Sequence, residues 1–178
     1  MKVIEELKNA YGLSEEDIEY AIEKARGIIL GFAMEYKAIR VLEDMDFKNI
    51  KYVDLPTHDI EAEKFGQKYY IEVKASKKSP TREYSAHKLA MIAMLDGTHL
   101  TLVMKPTPHL FNTEEILSFP KRVLFNFFKY AYRGDLENLK ALLSDEKARE
   151  ILVNYGRIIK AYSNRYPEKS LSVIKAFF

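Results

Sequence analysis

With 178 residues, 47% of them hydrophobic and 30% charged, the chain has enough material for one globular domain with a helical appendage. The absence of cysteine excludes disulfides, thiolate zinc sites and iron–sulfur clusters. No run approaches the ~20 apolar residues of a membrane span, and no signal-peptide pattern opens the chain, so a cytoplasmic location is expected. The net charge of +2 is too small to mark a nucleic-acid binder, but it is unevenly spread. Residues 1–26 carry four basic side chains against seven acidic ones, and residues 64–88 carry seven basic against two acidic.

In chain order, residues 1–10 read as a short helix ended by Tyr11-Gly12. Ser14 is placed as an N-cap, with Asp17 in the capping-box position. A helix is expected from about Glu15 to about Asp46, with a break near Gly27. Within it Ile28, Phe32, Glu35, Ile39 and Leu42 recur at alternating spacings of four and three, which is one helix face. Glu35 thus interrupts an apolar stripe, where a carboxylate is costly unless paired or metal-bound. The alternative puts Glu35 at the stripe's edge.

Phe47 to Leu55 reads as a strand. Residues 57–74 then read as a β-hairpin turning at Phe65-Gly66. A two-residue loop sets Lys64 opposite Gln67, Ala62 opposite Tyr69, Ile60 opposite Ile71 and Asp59 opposite Glu72. Ile60, Ala62, Tyr69, Ile71 and Val73 then share a core face, and Asp59, Glu72 and Lys74 share the other. Two opposed carboxylates repel unless a cation lies between them, and Mg²⁺ often uses only one or two carboxylates. His58 should turn to the opposite face in a structural role. Glu61 reads either as a second ligand or as a solvated strand residue.

Asp59, followed after twelve residues by Glu72-Val73-Lys74, resembles the D…(D/E)-X-K signature of the PD-(D/E)XK nuclease superfamily, which includes RecB-like and archaeal Holliday-junction-resolvase-like enzymes. The resemblance covers roughly residues 26–105. It implies an α/β fold with a restriction-endonuclease-like core, α-β-β-β-α-β, whose mixed sheet is flanked by helices. It also implies Mg²⁺ or Mn²⁺ held by Asp59, Glu72, the Val73 carbonyl and Glu35, with Lys74 positioning the attacking water. Lys88 is the residue expected from the following helix, ahead of Ser85 and His87. Lys77, Lys78, Arg82 and Lys88 fall in the basic block where a DNA backbone would lie.

Tyr84 to Leu95 reads as a helix and Thr98 to Met104 as a buried strand. Lys105-Pro106-Thr107-Pro108 is a break, giving a division into residues 1–106, the nuclease core, and 107–178, a wholly helical region. Helices are expected at about 113–118, 120–133, 135–143, 145–163 and 167–177. The aromatic run Phe125, Phe127, Phe128, Tyr130 and Tyr132 reads as core or as a partner-facing surface, and aromatics of 119–132 as the interface of a homodimer. The expected function is a metal-dependent deoxyribonuclease, endonuclease or exonuclease. The alternative is a catalytically inactive nucleic-acid-binding or assembly protein with the same fold.

Overall fold

The computed structural model describes residues 1–75 and 79–178. It is a mixed α/β structure with a five-stranded sheet in the order β1-β2-β3-β4-β5. The strands are β1 (Lys48–Leu55), β2 (His58–Lys64), β3 (Gln67–Lys74), β4 (Thr98–Val103) and β5 (His109–Asn112). All neighbouring pairs are antiparallel except β3 and β4, which run parallel. The helices are α1 (Lys2–Tyr11), α2 (Glu15–Asp44), α3 (Ala86–Ile92), α4 (Thr113–Ile116), α5 (Phe119–Arg133), α6 (Leu136–Ser144), α7 (Glu146–Val153), α8 (Gly156–Ala161) and α9 (Glu168–Phe177).

The hairpin forms in the register that its turn dictates. Lys64 pairs with Gln67, Ala62 with Tyr69 and Ile60 with Ile71. Phe65 and Gly66 both have positive φ, at 51° and 72°, the backbone of a type I′ turn whose twist matches that of the flanking strands. Ile60, Ala62, Ile71, Val73, Leu100 and Leu102 then fill one face of the sheet against Ala38 and Leu42 of α2 and against Phe47.

The other face meets α3. Leu89, Ala90 and Ala93, with Tyr84, join Val123, Leu124, Phe127, Phe128, Leu139, Leu143 and Leu152 in a single buried cluster. Residues 70–73 of β3 are buried on both faces, which is why this strand reads as a continuous apolar run broken only by Glu72. Gly97 admits a tight approach here: a Cβ on it would lie 2.5 Å from the Lys68 carbonyl oxygen.

Four expectations are corrected. Helix α2 runs unbroken past Gly27, because a single glycine costs only about 1 kcal/mol in a long helix. The stripe through Ile28 and Phe32 is not buried: both are exposed, and α2 meets the sheet only from about Met34 onward. The region from 107 is not wholly helical, since His109–Asn112 closes an antiparallel pair with β4 across the Pro106–Pro108 bend. The helix expected over 145–163 is divided between α7 and α8 at Asn154-Tyr155.

The run at 125–132 faces inward. Phe127 and Phe128 are fully buried, and Phe125, Tyr130 and Tyr132 pack partly buried on the same cluster. A 3.6-residue repeat cannot hide five aromatics in eight residues on one face, so α4, α6, α7 and α9 close around α5. Phe119 is the exposed aromatic of α5, too little for the interface expected there.

Candidate functional site

Alternation along β2 and β3 carries Asp59, Glu72 and Lys74 to the sheet face covered by α3. Asp59 and Glu72 are buried, at 9% and 7% exposure. The Asp59 Oδ2 accepts a hydrogen bond from the Val73 N–H at 2.7 Å. Val73, expected to offer its carbonyl, engages Asp59 through its amide. Burial pushes the Asp59 carboxyl up to about 6; the Val73 N–H opposes this, and the charges of Glu72 and Glu35 add to it.

Glu72 is clamped from one side. Its Oε1 accepts from Lys88 Nζ at 2.8 Å and from Lys74 Nζ at 3.2 Å. Its Oε2 is buried with no hydrogen-bond partner. An unsatisfied buried oxygen costs about 1–3 kcal/mol, more for a charged group. Lys74 also donates to Glu83 Oε2 at 2.6 Å. Burial alone would lower the Lys74 ammonium, but Glu83 and Glu72 outweigh it and hold it above the ordinary lysine range. Lys74 therefore acts as a fixed cation. Both ammonium groups lie over the Tyr84 ring, 5.6 Å for Lys74 and 5.2 Å for Lys88.

Lys88 reaches Glu72 because Ser85 caps α3, accepting from the Lys88 N–H, and so sets the first turn of the helix over β3. His87 points away and meets Tyr162. Arg82 is exposed on the connection before Tyr84. Lys77 and Lys78 lie outside the described residues.

Glu35 stands apart. Its Oε2 accepts from the Tyr52 hydroxyl at 2.7 Å, and Tyr52, opposite Ile60, belongs to the sheet face that packs on α2. Among the described residues no three His, Asp or Glu side chains are grouped to hold a metal ion. Glu35 is near enough to raise the Asp59 carboxyl, but it does not complete a set of three with Asp59 and Glu72.

His58 is corrected in position. Its ring centroid is 4.7 Å from that of Tyr70, and its Nε2 is 3.2 Å from Glu61 Oε1, both on the Asp59 side. It is the first residue of β2, beyond a register irregularity between Tyr52 and Leu55, so strict alternation does not yet hold there. Glu61 is thereby engaged with His58.

A chain of hydroxyls lies under the site. His99 Nε2 is 2.7 Å from the Thr57 carbonyl oxygen, which can only accept, so Nε2 carries the proton. Nδ1 must then accept from Thr113, 2.6 Å away. Thr113 in turn accepts from Thr101, and Thr101 from the Tyr84 hydroxyl. Sequence reading missed this chain, Glu83 and the role of Tyr52. Thr101 and His99 alternate on β4, which gave a period-2 signal, whereas Glu83 arrives through an irregular loop with no period at all.

These features define a mixed α/β protein with a buried carboxylate pair held beside two lysines. No family model, no curated protein and no solved structure matches the chain. Asp59 and Glu72 are oxygen donors of the kind a hard divalent cation takes, one with a buried unpartnered oxygen, but no third acidic side chain joins them among the described residues.

Proposed function

We propose that the chain is a metal-dependent nuclease that hydrolyses phosphodiester bonds in DNA, with the restriction-endonuclease-like arrangement that its D…E-X-K motif resembles. The observation that carries this reading is the buried, unpartnered Glu72 Oε2, on the sheet face that Glu72 shares with Asp59 and Lys74. Asp59 and Glu72 would hold Mg²⁺ or Mn²⁺, which supplies a water of lowered pKa and charge stabilisation on the phosphate. Lys74 would orient the attacking water and face the negative charge that develops on the phosphate oxygens. Lys88 pairs with Glu72 and offsets its charge. Residues 64–88 carry seven basic side chains against two acidic ones, a charge that suits a phosphate backbone.

The test is cleavage of single-stranded, duplex, flap and four-way-junction DNA with Mg²⁺, Mn²⁺ or EDTA. Wild type should cut only with metal. Asp59→Ala should abolish cutting, and Lys74→Ala should slow it by about 10²–10³-fold. Full activity in either variant overturns the reading. A second reading, a protein that binds nucleic acid without cutting it, draws on the two lysines that already neutralise one oxygen of Glu72. DNA binding without cleavage of any substrate would favour it.

A further inference from the structure

Beyond the core, α2 carries a second apolar stripe that the fold leaves open. Ile18, Ile22, Ala25, Ile29, Phe32 and Tyr36 recur at spacings of four, three, four, three and four. At 100° per residue this stripe lies on the side of the helix opposite Ala38 and Leu42, which face the sheet. Ile18 is buried, but Ile22, Ile29, Phe32 and Tyr36 are 42%, 48%, 58% and 69% exposed. Alternating spacings of three and four are the pattern by which one helix seats another. These four side chains expose on the order of 400 Å² per copy, within the roughly 300–600 Å² of the largest apolar patch on a typical monomer, which is often functional.

The charges of α2 select the occupant. Residues 15–23 hold five acidic side chains and no basic one, whereas residues 24–40 hold Lys24, Arg26, Lys37 and Arg40 against Glu35 alone. A second α2 laid antiparallel sets each acidic start against the basic half of its neighbour; a parallel one sets like against like. In an antiparallel pair centred on residue 27 the stripe maps onto itself, with Ile22 against Phe32 of the second copy and Ala25 against Ile29 of the second copy. Two copies together would cover on the order of 800 Å² of apolar side chain before flanking residues are counted, near the ~1,000 Å² that a specific interface must clear. The acidic start disfavours both a DNA backbone and an anionic membrane surface on this helix.

We infer that the chain pairs with a second copy of itself through antiparallel α2 helices. This is independent of the nuclease reading and uses none of its residues. Light scattering at about 50 μM should give twice the 20.7-kDa chain mass. Ile29→Glu should return it to a single mass with unchanged circular dichroism, whereas Leu30→Glu, exposed but off the stripe, should leave the pair intact. Because the chain has no cysteine, orientation is read by cross-linking. An equimolar mixture of Ile22→Cys and Phe32→Cys chains should form a disulfide-linked heterodimer, and neither chain should do so alone. A single chain mass for wild type, a pair indifferent to Ile29→Glu, self-cross-linking of the Ile22→Cys chain, or monomers that instead float with anionic phospholipid vesicles would each overturn it.

Discussion

Two buried ionisable residues pull the stability of this protein in opposite directions over the same pH range. Burial lowers His99 from an ordinary 6.5 to about 4, against a hydrogen bond to the Thr57 carbonyl. A lowered histidine contributes stability that is complete above about pH 6.5 and lost as pH falls through 4. Asp59 is pushed up to about 6, so its contribution is complete below about pH 4 and lost as pH rises through 6. Each is worth on the order of 3 kcal/mol, and in wild type the two slopes offset each other. Urea denaturation from pH 4 to 7 should show His99→Gln losing stability as pH rises and Asp59→Asn gaining it. Parallel curves for the two variants would refute the assignment. Asp59, Glu72 and Lys74 were legible in the sequence because a two-residue turn and a period of two fix which side chains share a face. Glu83 was not, because its contact with Lys74 depends on a loop whose path no repeat encodes.

At the scale of single elements, the β2–β3 turn is formed at a cost. Phe65 sits at positive φ and is 90% exposed, so it takes the strain of a left-handed backbone and buries almost nothing in return. Asparagine tolerates this conformation and precedes glycine in the favoured type I′ pair. Phe65→Asn should therefore raise the unfolding free energy by about 0.5–1 kcal/mol, measured by chemical denaturation, with no change in the register of the hairpin. The hairpin and α2 were both foreseeable as elements. The face α2 would bury was legible only in part: Ile39 and Leu42 of the expected stripe pack on the sheet core, whereas Ile28 and Phe32 stay exposed because only the second half of the helix reaches the sheet. Strand β5 escaped notice because four residues are too few to display a period.

The whole molecule is knit by the cluster between α3 and the C-terminal helices. Tyr84 and Leu89, neighbours of the site, share it with Phe127, Leu139 and Leu152. Phe127→Ala should cost about 3–5 kcal/mol, and sheet and helices should lose structure in one transition when followed by tyrosine fluorescence and far-ultraviolet circular dichroism. Two separate transitions would show that residues 107–178 stand alone. Helix α2 departs from this compact body. Its 30 residues extend about 45 Å, and α1 together with the first half of α2 packs on almost none of the rest. A compact chain of this length has a radius of gyration of about 16 Å. With such an arm the molecule diffuses and tumbles as a larger, elongated body, so a single copy runs ahead of spherical standards of equal mass in gel filtration. Elution volume and rotational correlation time therefore overstate how many copies are present, and only a direct weighing of the particle counts them.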